Sequence, residues 1–93
     1  MNYKYTYMQY LQLETLAFNI FLIKHKATDE RQKKVIDNTI KYTFNIMDNM
    51  NIPMWVQNIA IQYGELKLRY KMELKDYLAQ KGITPKDKHR YYE

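Results

Sequence analysis

The chain has no cysteine and no serine, and only two glycine and two proline residues. Without cysteine there is no disulfide framework and no thiolate metal site. Nucleophilic catalysis through serine or cysteine is excluded with them. Two isolated glycines cannot build a phosphate-cradling loop. So few turn formers also argue against an all-β fold, in which every hairpin needs its own turn chemistry. Long apolar runs are missing too. The longest, Leu16 to Ile23, is interrupted by Asn19 and is far short of the roughly 20 residues that span a bilayer. The first residues carry no basic cluster ahead of an apolar stretch and no small-residue cleavage site. No signal peptide is expected, and the protein is read as cytoplasmic with no membrane partner. Two histidines, His25 and His89, do not make a metal site without further ligands, so no metal and no cofactor are expected. No carboxylate pair recurs at a spacing suited to acid–base work. Neither an enzyme nor a small-molecule substrate is expected.

What is present describes one helical domain. Ninety-three residues with 46% hydrophobic and 27% charged content suit a single core that would gain from association. The net charge is +5, with 15 Lys and Arg against 10 Asp and Glu. This charge is compatible with a polyanion partner. Lysine outnumbers arginine heavily, whereas arginine is the usual bidentate reader of bases. Richness in Lys, Asn, Ile and Tyr is also the product of AT-rich coding, which points to an accessory gene of a bacterium, phage or other mobile element.

Hydrophobic periodicity predicts an all-α fold, a three-helix antiparallel bundle over about 8–26, 29–50 and 53–81. The domain is taken as 1–81, followed by a basic tail over 82–93. Residues 1–7 alternate aromatic and polar side chains, a strand-like period. With no partner strand in view, an arm or a helix start is expected, and its tyrosines, which could stack on bases, are read as packing on the domain or across a dimer.

The first helix is apolar around most of its circumference, with only Gln12, Thr15 and Asn19 as a polar strip. Two neighbours in a bundle cannot cover such a surface. Phe18 and Leu22 are therefore expected at an interface with another chain. Glu14 falls inside the apolar arc and is read as a rim position where the carboxylate reaches water. Lys24-His25-Lys26 suits the negative end of this helix. Thr28 and Asp29 open the second helix, whose polar face is balanced in charge and holds no site.

The third segment organises the reading. Asn51 is taken as its N-cap and Pro53 as its first turn. Gly82, with Pro85 beyond it, is taken as its stop, and Ile83 folds back onto Leu78. One seam carries Trp55, Val56, Ile59, Tyr63, Leu66, Tyr70, Leu74 and Tyr77. Nearly opposite lie Ile61, Leu68 and Met72, an apolar second face that predicts a homodimer or a protein partner. Between the faces, Lys67, Lys71 and Lys75 form a basic ridge at one-turn spacing. Ala60 and Gly64 have the small-residue spacing of a helix-turn-helix, but Glu65 stands where that motif needs an apolar residue. Gly64 is read as a point where another helix approaches.

Two functions follow. The first is a nucleic-acid-binding regulator that presents Lys67, Lys71, Lys75 and Arg69 to phosphates, helped by Lys86, Lys88 and Arg90 of the tail. The second is a protein–protein module or inhibitor that uses Ile61, Leu68 and Met72. The charge favours the first by a small margin.

Overall fold

Thr6 starts the first helix. Its Oγ1 accepts the Gln9 N–H at 3.2 Å, and the Gln9 side chain accepts the Thr6 N–H at 2.9 Å. This reciprocal pair satisfies two donors that a helix start leaves unpaired. Gln9 also donates to the Met50 carbonyl at 3.1 Å, tying this start to the end of the next helix. In the computed structural model, which describes residues 1–87, the elements run β1 (Tyr3–Tyr5), α1 (Tyr7–His25), α2 (Glu30–Asn49), α3 (Met54–Glu65), a 3-10 turn (Leu68–Tyr70), α4 (Leu74–Gln80) and β2 (Ile83–Pro85).

The mostly helical class holds, and α1 and α2 lie within a residue or two of the expected ranges. The third helix does not run from 53 to 81. It ends at Glu65, and the chain passes through Lys67 in the left-handed region (φ 59) and a 3-10 turn before α4 begins. The expected three-helix arrangement is thus four helices with a strand pair. The connection, residues 66–73, is also longer than the three- or four-residue turn of a helix-turn-helix.

Asn51 plays the opposite part from the one expected. It has φ 60 and closes α2: its N–H donates to Asp48 O at 3.1 Å, and the Ile52 N–H donates to Met47 O at 3.1 Å. This is a Schellman motif, with Asn in the place usually taken by glycine and Ile52 buried as its apolar contact. Pro53 becomes the cap of α3, without a side-chain hydrogen bond. Gln57 fixes the corner, because its buried Nε2 donates to Ile52 O at 2.9 Å and to Asp48 Oδ1 at 3.1 Å.

The first residues form a strand because a partner arrives from the far end of the chain. Gly82 turns with φ 81, and β2 then pairs in parallel with β1, matching Tyr3 to Ile83, Lys4 to Thr84 and Tyr5 to Pro85. Pro85 is tolerated because a two-stranded sheet has only edges. Tyr5 and Ile83 are fully buried, so Ile83, expected in the tail, belongs to the core.

Helix α1 packs against both α2 and α3. Its buried residues Leu13, Leu16, Ala17 and Ile20 form one core with Ile40 and Met47 on α2 and Val56, Ala60 and Tyr63 on α3. Gly64 marks the closest approach. A Cβ there would lie 2.5 Å from Ala17 O and 3.0 Å from Ile20 Cβ. Gly64 thus admits another helix, as its place in the sequence suggests. Gly64→Ala should gain about 1 kcal/mol of helix propensity and lose more through forced separation of two backbones. A net destabilisation of about 1–2 kcal/mol is expected, seen as a lower urea midpoint with an unchanged slope.

Candidate nucleic-acid interface

The turn after α3 is laid over α1 by its own side chains. The Arg69 guanidinium sits 4.9 Å from the Phe21 ring centre and 5.0 Å from that of Phe18. The Tyr70 ring meets Phe21 edge-on at 5.7 Å. Each cation–π contact is worth about 0.5–1 kcal/mol at an exposed site. On the inner side, the Tyr63 hydroxyl donates to Met72 O at 2.7 Å. The end of α3 is tied to α1 as well. His25 Nε2 lies 2.8 Å from Glu65 O, a carbonyl that the helix end leaves without a partner, so the imidazole is the donor. Lys24 Nζ stands 3.9 Å from the Glu65 carboxylate, an exposed pair that adds little stability.

These ties bring two basic segments together. The C-terminus of α1 supplies Lys24, His25 and Lys26, and the connection supplies Lys67, Arg69 and Lys71. All six are exposed. Tyr70, 64% exposed, and Phe18, 45% exposed, stand among them. Phosphate-binding side chains beside accessible rings are the ingredients of a backbone-and-stacking surface. Arginine is suited to the shared position, because a guanidinium resting on a ring keeps its N–H edge for an anion.

The ridge read from the sequence is not present as a ridge. Lys67, Lys71 and Lys75 sit before the 3-10 turn, at its end and in the first turn of α4, so one-turn spacing is lost. Lys75 is half-buried and pairs with Glu73 at 3.3 Å. Lys86 is exposed, and its backbone N–H donates to Tyr5 O at 2.8 Å. Lys88 and Arg90 lie outside the described residues. Of the expected protein interface, Ile61, Leu68 and Met72 are half-buried and packed on the core, and Leu22 is half-buried. Leu66 and Tyr70, expected in the core seam, are exposed instead. Between residues 66 and 72 the chain reversal exchanges the two faces, while Val56, Tyr63, Leu74 and Tyr77 of the expected seam are buried. Tyr70 and the basic end of α1 are the site members that sequence reasoning missed, because no local signal places the reversal.

Beside the turn lies an open groove of about 750 Å³ between α1 and the start of α4. Tyr7, Tyr10, Leu11 and Phe18 line it together with Glu14, Arg69, Glu73 and Lys75. Glu14 is exposed at this rim, as expected. Two carboxylates inside the groove oppose a polyanion there, although Arg69 and Lys75 line it as well. Among the described residues no group of three or more His, Asp or Glu could hold a metal ion, and no helix is long and apolar enough to cross a membrane. No family model, no curated protein and no solved structure matches the chain.

Burial pushes the Tyr63 hydroxyl above its ordinary value of 10.0; the Arg69 charge pulls it down, and Glu73, Glu14 and Asp76 push it up. The neutral form is thus favoured by folding. Its stabilisation is complete below pH 10.0 and is lost as pH rises through the folded value. The phenolate, moreover, cannot donate to Met72 O. Tyr63→Phe should cost about 1 kcal/mol at neutral pH and should flatten the alkaline fall in stability, measured by urea unfolding between pH 8 and 11. Leu68→Glu should lower stability by about 2 kcal/mol, because its side chain now packs on the core. An unchanged urea midpoint would return Leu68 to the surface.

Proposed function

We propose that this is a small, non-enzymatic, cytoplasmic accessory protein that binds nucleic acid as a homodimer and acts as a regulator. The observation that supports this best is the exposed turn Lys67–Lys71. It carries three cationic side chains and an accessible tyrosine within five residues, and it is anchored beside the basic end of α1. The turn supplies phosphate contacts and one stacking surface. It lacks the array of arginine forks that reads base edges, so binding would follow the backbone more than the sequence. Lys75, paired with Glu73, is a weaker contributor, and Lys86, Lys88 and Arg90 extend the basic character toward the C-terminus.

A second reading, a protein–protein module from a phage or other mobile element, is favoured by the groove. Its mixed charges and exposed Phe18 suit a peptide or helix better than a phosphate backbone. In that case Phe18, Tyr7 and Leu11 make the contact, with Leu22 on the neighbouring depression near Val35.

Fluorescence anisotropy with labelled duplex and single-stranded DNA at 50 and 200 mM salt separates the two. Binding by the turn should weaken steeply with salt, with a log–log slope of about 0.7–0.9 per phosphate contacted. The double variant Lys67→Gln, Lys71→Gln should lower that slope by about two contacts while leaving the far-ultraviolet spectrum unchanged. Absence of binding at 50 mM salt would favour the groove reading.

A further inference from the structure

The connection between α3 and α4 is built from residues that form helices. From Leu66 to Glu73 it reads Leu-Lys-Leu-Arg-Tyr-Lys-Met-Glu. Leu, Lys, Arg, Met and Glu rank just below alanine in helix propensity. The residues that normally make turns, Gly, Pro, Asn, Asp and Ser, are all missing. The reversal instead depends on Lys67 in the left-handed region, which a side chain with a Cβ disfavours.

A second observation points the same way. Leu66 and Tyr70 are 61% and 64% exposed, yet they fall at helical spacing between Tyr63 and Leu74, both buried. In one continuous helix all four would share a stripe. Beyond the connection, α4 and β2 dock through contacts that another copy offers equally well. The Tyr77 hydroxyl meets Gln62 Oε1 at 3.3 Å, its ring lies 5.8 Å from that of Tyr63, and β2 pairs with β1.

We propose that the chain forms a domain-swapped dimer in which residues 54–80 run as one helix. In it, α4 and β2 of each copy pack on α3 and β1 of the other. This deepens the homodimer assigned above and rests on it. Exchange keeps the contacts of α4 and β2 and gives up those that the turn makes through Leu68, Arg69 and Tyr70, so the hinge decides the balance. Straightening relieves Lys67 and brings Leu66 and Tyr70 of the two copies into one apolar stripe. It also returns Lys67, Lys71 and Lys75 to one-turn spacing. The swapped dimer would therefore carry the basic ridge that the folded-back form disperses.

The absence of cysteine permits a direct test. Lys4 and Thr84 are paired across the strands, and Lys4→Cys with Thr84→Cys places two thiols within disulfide reach. Monomer and dimer are separated by size exclusion with light scattering, oxidised and run on denaturing, non-reducing gels. The swap predicts that the dimer fraction runs as a covalent dimer and the monomer fraction as a monomer. Lys67→Gly, which favours the left-handed region and weakens a helix, should raise the dimer dissociation constant about tenfold or more. Lys67→Ile, β-branched and poorly suited to that region, should lower it. A dimer fraction whose chains run singly after oxidation would overturn the swap and leave an ordinary dimer standing. A protein monomeric up to millimolar concentration would overturn both.

Discussion

Helices α1 and α3 touch backbone to backbone at Gly64, and the rest of the molecule is placed from that contact. The approach is possible because Ala60 and Gly64 stand on the face of α3 that meets Ala17 and Ile20 of α1. Small residues here let two helices lie closer than their side chains would otherwise allow. The contact sets where α3 stops: its last carbonyl, on Glu65, arrives opposite His25. It also sets where the chain lands when it reverses, since Phe21, one turn beyond Ala17 on α1, and the exposed Phe18 beside that contact receive Arg69. The candidate interface is thus a consequence of helix packing.

Helix α1 bears the largest share of burial because it has neighbours on several sides. Helix α2 covers one flank and α3 another, while the turn and the start of α4 cover part of a third. This explains a helix that is apolar nearly all round without requiring a second chain for all of it. What remains bare is narrow: Tyr7, Met8 and Phe18. Two glutamines tie the corners. Gln9 serves both the start of α1 and the end of α2, and Gln57 holds the next corner. Both side chains form hydrogen bonds between segments that hydrophobic packing alone would leave free to slide.

Net charge alone is a weak guide in a lysine-rich chain, and the distribution of that charge says more. The turn and the end of α1 gather cations around accessible rings, while the groove mixes Glu14 and Glu73 with Arg69 and Lys75. Lys67 lies at the centre of both the interface and the reversal.

Much of the fold was legible in the sequence because helices are local. The periodicities of α1 and α2, the stop at Gly82, the break before Pro53 and the role of Gly64 all follow from residues within a few positions of one another. The capping box Thr6-x-x-Gln9, which marks the start of α1, lies just ahead of the expected start at about residue 8 and was not read from the sequence. The rest depended on distant partners. Tyr3–Tyr5 became a strand because Ile83–Pro85 arrives beside it, and no local pattern reports that. The break after Glu65 was hidden because Leu66 to Glu73 are good helix formers with an unbroken apolar period. There, packing of Leu68, Met72, Arg69 and Tyr70 on the rest of the chain outweighs propensities of a few tenths of a kcal/mol per residue. The sequence by itself determined the helical class, the positive charge and the absence of thiol and serine chemistry. Only the tertiary structure decided which side of residues 66–72 faces water, since that depends on where the chain meets itself.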